Sequence, residues 1–81
     1  MIKIKSSEAL KIDHTLKTLY GISLYFLLDH ELIPHYNGYL PIDINKLMEF
    51  FQPKENESLK EAIARQCGNE TSNLFDKALK P

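Results

Sequence analysis

Three sets of residues in this chain have types and spacings that could do chemistry. The first lies in the C-terminal quarter: Arg65, then Thr71, Ser72 and Asn73, then Lys77 and Lys80. Hydroxyls and a carboxamide can contact base edges, while guanidinium and ammonium groups contact phosphates, so this set would serve duplex DNA. The second is Tyr25, Tyr36 and Tyr39, three of the four tyrosines. A tyrosine ring joins apolar area to a polar tip, which suits a protein–protein contact. The third is His30, Glu31 and His35. Imidazoles ligate metals, but on a helix an i to i+5 spacing sets the two rings about 140° apart, so no metal and no cofactor is expected. Cys67 has no basic partner in view and reads as a small packing residue rather than a nucleophile. There is no glycine-rich phosphate loop, paired carboxylate cleft or nucleophile triad in the sequence, so no enzyme is expected.

The DNA-directed set sits in residues 63–79, which read as helix, glycine turn, helix. Ala64 is the small residue where two helices cross closely. Gly68 turns the chain four residues later, and Leu74 closes the pair six further on. Ile63, Ala64, Cys67, Gly68, Phe75 and Ala78 resemble the second helix-turn-helix of arabinose-regulator (AraC) type activators. Lys77 stands for that pattern's arginine and Leu79 for its second phenylalanine, while Asn69 replaces the phenylalanine after the glycine. More loosely, residues 16–79 resemble the C-terminal region of RteC-type mobile-element regulators. The shared layout is a Leu- and Tyr-rich helix, the Asn37-Gly38 loop, an apolar helix ending in Phe50-Phe51, and a final helix carrying Leu74-Phe75-Asp76. Either resemblance implies a DNA-binding transcription regulator. The ordinary alternative is a helical hairpin with a glycine cap. Residues 58–81 hold four basic side chains (Lys60, Arg65, Lys77, Lys80) and three acidic ones (Glu61, Glu70, Asp76). Because phosphate contacts supply most non-specific affinity, so small an excess implies a homodimer if DNA is the partner.

The elements that must position these residues follow from periodicity. Ile2 and Ile4 alternate with Lys3 and Lys5, a strand signal whose only extended partner is the run Tyr39, Leu40, Pro41, Ile42. Ser6 and Ser7 are N-cap residues, and a first helix is predicted over residues 7–32, with Ile12, Leu16 and Leu19 on one face. Residues 19–28 are apolar at eight of ten positions, interrupted only by Gly21 and Ser23. A helix that is apolar all round needs cover on every side. If the helix continues through Gly21, Gly21→Ala should be neutral or stabilising. Pro34 stops it. Asp43 or Asn45 caps a second helix carrying Ile44, Leu47, Met48 and Phe51, which ends at Gln52-Pro53. Ser58 and Glu61 form a capping box for a third helix, with Leu59, Ala62, Ile63 and Cys67 inward and Gly68 beyond its end. Asn69 or Thr71 caps the fourth, whose exposed side chains would be Glu70, Thr71, Ser72, Asn73, Asp76 and Lys77.

The chain of 81 residues bounds one domain, residues 1–81, whose net charge of −1 advertises neither nucleic acid nor its mimicry. The single cysteine excludes an internal disulfide, and the apolar run is too short for a membrane span of about 20 residues. No signal-peptide core precedes it, so a cytoplasmic protein without a membrane partner is expected. The expected architecture is all-α: a small four-helix domain with a C-terminal helix-turn-helix-like pair and a minor two-stranded β element. Two functions follow from different residues. One is a small non-enzymatic DNA-binding regulator. The other is a protein-binding module or inhibitor, of immunity-like or anti-defence kind, acting through the tyrosine-rich surface on a protein target.

Overall fold

In the computed structural model, which describes residues 3–35 and 38–79, Ile4 is buried between two lysines of strand β1 (Lys3–Lys5). β1 pairs antiparallel with β2 (Tyr39–Pro41), Ile4 opposite Leu40. This is the two-stranded element that the alternation predicts. The rest is mainly helical: α1 (Ser6–Tyr20), α2 (Ile44–Phe51), α3 (Leu59–Cys67) and α4 (Asn69–Leu79). Ile12 and Leu16 of α1, Leu47 and Phe51 of α2, Ala62 and Ile63 of α3 and Phe75 of α4 meet in one core. Phe51 and Phe75 make an edge-to-face contact across it, ring centroids 6.0 Å apart. No helix among the described residues is long and apolar enough to cross a membrane.

The long first helix is overturned. α1 ends at Tyr20, where Gly21 adopts φ 70° and donates its N–H to the Lys17 carbonyl at 3.0 Å. A positive φ at the C-cap is glycine's ordinary role. A helix over residues 7–32 would run roughly 39 Å, longer than the 34 Å long axis of the whole domain. Instead the chain turns back. Leu24–Leu27 form a 3₁₀ turn, and Leu28 makes an antiparallel bridge with Ile42. Leu24, Leu27 and Leu28 thereby enter the core. Leu19, expected inward, is exposed in the last turn of α1.

The caps are partly as expected. Asp43 caps α2, its Oδ1 accepting the Asn45 and Lys46 amides, and Gln52 closes that helix. Ser58 and Glu61 form the reciprocal box on α3. Ser6 and Ser7, however, lie inside the first turn of α1, whose N-cap is Lys5 with no side-chain bond. Neither Asn69 nor Thr71 caps α4. Gly68 is the whole connection between α3 and α4, and its carbonyl accepts the Ser72 amide at 3.1 Å.

Candidate functional site

That one-residue connection decides where the DNA-directed side chains point. Because α4 starts at Asn69, Thr71, Ser72 and Phe75 fall on one face at i+3 and i+4 spacing, and that face packs on the core. Thr71 is 5% exposed, with its hydroxyl 3.4 Å from that of Thr15. Ser72 is 1% exposed and donates to the Lys60 carbonyl at 2.7 Å. The expectation that both are exposed is therefore corrected. Arg65 lays its guanidinium fork on Glu57, Nε to Oε2 at 2.9 Å and Nη2 to Oε1 at 3.0 Å. Arg65 first, and the Lys54 amide after it, hold the Glu57 carboxyl down at about 2. Lys77 lies 3.7 Å from a Glu8 oxygen and Lys60 3.6 Å from Asp76. Asn73 faces solvent, and Lys80 lies outside the described residues. The set is thus not assembled on one surface: two members face inward and two cations lie against carboxylates.

The tyrosine set leads elsewhere. Tyr36 lies outside the described residues, and Tyr39 is partly exposed on β2. Tyr25 projects from the 3₁₀ turn and is 55% exposed. It forms one wall of a groove of about 530 Å³ between α1, the 3₁₀ turn and β2. Leu10 is the opposite wall, 73% exposed; Ala9, Leu24 and Leu28 make the floor, and Ile33 and Leu40 line one side. Ser6, Ser7, Asp13 and Ser23 are the polar residues that line the groove, beside the Tyr25 hydroxyl. Beyond Tyr25 stands Phe26, 63% exposed, its ring edge-on to Tyr25 at 6.5 Å. A second, shallower hollow beside Phe26 is lined by Ile22, Leu27, Lys46, Glu49 and Phe50. The result is one apolar band from Leu10 across Tyr25 and Phe26 to Phe50.

Two polar arrangements fix this band. His30 stacks on Tyr25, ring centroids 4.4 Å apart and planes 20° from parallel, and its Nε2 lies 2.7 Å from the Tyr25 carbonyl oxygen. A carbonyl can only accept, so Nε2 carries the proton. The histidine that was weighed as a metal ligand is thus occupied in bracing Tyr25. Among the described residues no three His, Cys, Asp or Glu side chains gather around a metal-sized site. Asp13 does the second job. Its Oδ1 accepts the Leu24 amide at 2.8 Å and the Ser23 hydroxyl at 2.9 Å, while Oδ2 meets Lys17 Nζ at 2.8 Å. Lys17 above all holds the carboxyl below its usual range, against the opposing effect of burial, with Leu24 and Ser23 adding to the lowering.

Leu10, Asp13 and the bracing role of His30 are additions to what the sequence suggests, whereas Phe26 belongs to the aromatic cluster with Tyr20, Tyr25, Tyr36 and Tyr39 that the sequence already offers as a partner surface. Leu10 had a visible signal, because it lies about 160° around α1 from Ile12, away from the inward stripe. For Asp13 only the i,i+4 pair with Lys17 is visible, since Ser23 and Leu24 lie ten and eleven residues on. Cys67 sits 3.9 Å from the Tyr20 hydroxyl oxygen, and burial pushes its thiol pKa up, which disfavours a thiolate. No family model, curated protein or solved structure matches this chain.

Proposed function

We propose that this chain is a small, non-enzymatic protein-interaction module of the cytoplasm. Its docking surface is the apolar band of Leu10, Tyr25 and Phe26. The observation that carries this reading is that Leu10 and Tyr25, each more than half exposed, line one preformed groove, and Phe26, also more than half exposed, stands edge-on beside Tyr25. At roughly 200 Å² per aromatic side chain, Tyr25 and Phe26 leave on the order of 240 Å² uncovered. Leu10 brings the band into the range of roughly 300–600 Å² that marks the largest, often functional, patch of a monomer. Tyr25 also has the character of an anchor residue, since His30 orders its ring before any partner arrives. The DNA-binding regulator has weaker support, because Thr71 and Ser72 are buried and Arg65 and Lys77 lie against Glu57 and Glu8.

A displayed library of short random peptides, selected on the wild-type protein, tests the reading. Peptides rich in aliphatic and aromatic residues should be enriched, and Tyr25→Ser or Leu10→Asp should abolish their binding. Enrichment of no peptide that depends on Tyr25 or Leu10 would overturn it. A mobility-shift titration with random duplex DNA at low and moderate salt should show no retention. Salt-dependent retention would restore the DNA reading.

A further inference from the structure

Resting on the protein-interaction reading, we infer that the partner on the apolar band is a second copy of this chain, with Phe26 of each copy seated in the groove of the other. The band carries a knob and a hole side by side. Phe26 stands proud at 63% exposure, and the groove floored by Leu24 and Leu28 opens on the far side of Tyr25. A two-fold axis passing beside Tyr25 exchanges knob and hole, so each contact is made twice. An isologous interface requires this self-complementarity, in which residue i meets j and j meets i.

Charge supports the second copy. Close to a two-fold axis a charged group approaches its own counterpart, so the groups nearest the axis must be uncharged or already paired. In the groove the only ionisable group with a carboxylate is Asp13, and Lys17 neutralises it at 2.8 Å. In the hollow beside Phe26, Lys46 and Glu49 are of opposite sign, and the Lys46 ammonium is bonded to the Leu28 carbonyl at 2.9 Å.

Area supports it too. A standard interface buries about 800 Å² per partner, roughly 65% of it apolar in homodimers, or on the order of 520 Å². Tyr25, Phe26 and Leu10 supply more than half of that, taking roughly 200 Å² for each aromatic side chain. The half-buried Ile33 and Leu40 of the groove and Ile22 and Phe50 of the hollow supply the remainder. The consequence is regulatory: any other protein that takes the groove must first displace Phe26 of the second copy.

Sedimentation equilibrium of the full chain tests this, together with intermolecular nuclear Overhauser effects in a mixture of labelled and unlabelled protein. The wild type should be dimeric at micromolar concentration, with contacts from the Phe26 ring of one copy to the Leu28 and Leu40 methyls of the other. Phe26→Glu and Phe26→Ala should each weaken the dimer by about thirtyfold or more while keeping the wild-type circular dichroism. Lys11→Ala, outside the band, should leave the dimer intact. A monomer at high micromolar concentration would overturn the inference, as would a dimer indifferent to both Phe26 variants. A monomer that still selects Tyr25-dependent peptides would remove only the second copy and leave the interaction module standing.

Discussion

Asp13 should be the residue on which the shape of the groove depends most. Its Oδ1 is the acceptor for the Leu24 amide and the Ser23 hydroxyl, so it fixes the point where the chain turns back after α1. Asp13→Ala removes that acceptor. The Ser23 hydroxyl can turn to water, but the Leu24 amide belongs to a buried residue, and a buried donor without a partner costs about 1–3 kcal/mol. The Lys17 pair adds little, because the Lys17 side chain is 61% exposed. The sum is about 1–3 kcal/mol, or roughly 5–20 °C in Tm for a domain of this size. Asp13→Asn keeps an oxygen for Leu24 and loses only charge, so about 1 kcal/mol is expected. Acid sharpens the comparison. The carboxyl is depressed in the folded chain below its ordinary 3.8, so the unfolded chain binds the proton first as pH falls. The stabilisation is complete above about that pH and is lost as pH falls through the lower folded pKa. Urea unfolding from neutral pH down to the acid limb should therefore show a shallower loss of stability in Asp13→Asn than in the wild type below about pH 4. Alanine and asparagine variants both within a few tenths of a kcal/mol of the wild type, or an unchanged acid limb, would refute the clamp.

Gly21→Ala should destabilise by about 1 kcal/mol, because alanine dislikes the positive φ although a Cβ there would touch nothing; thermal melts read this, and a neutral result would mean that the left-handed cap is not kept in solution. Ser58→Ala should cost about 1 kcal/mol through the lost bond to the Glu61 amide, and an unmoved urea midpoint would remove the capping box as a contributor. Glu57 is held at about 2 against an ordinary 4.5, so its stabilising effect is present above pH 4.5 and is lost between there and about 2. Glu57→Gln should flatten stability across that window; if the acid limb keeps its slope, the Arg65 fork does not persist in solution.

What could be read from the sequence was mostly local. The capping box of Ser58 and Glu61 needs only four residues, and it stands as expected. The strand pair was legible because Ile4 alternates with lysines and only one other extended run existed to meet it. Gly21 was misread because a glycine inside an apolar run is compatible with a helix interior and with a helix end. The choice was made by Asp13, which catches Leu24 from eleven residues earlier and so favours the turn. Thr71 and Ser72 were misplaced for a related reason. A helix starting one turn later would have set them outside, but the Gly68 carbonyl starts it at once. Tyr25 stands out by residue type alone, whereas the groove needs β2 and the 3₁₀ turn brought together, which no local pattern encodes.

The exposure of Tyr25 and Phe26 follows from the geometry of that turn. A 3₁₀ helix has three residues per turn, so side chains at i and i+3 eclipse. In Leu24–Leu27 the eclipsed pair is Leu24 and Leu27, and both are buried. Tyr25 and Phe26 are then driven to the other two directions, and the core cannot reach them. Had the α-helix continued, residues four apart would have shared a face, and Tyr25 or Phe26 could have turned inward. Gly21 ends the helix, and the Asp13 clamp on Ser23 and Leu24 then holds the turn that presents the two rings. A turn that faced only water would be served at those two positions by polar residues, which cost nothing to expose. Two aromatics there, one braced by a stacked histidine, carry an exposure cost that the proposed docking surface would offset.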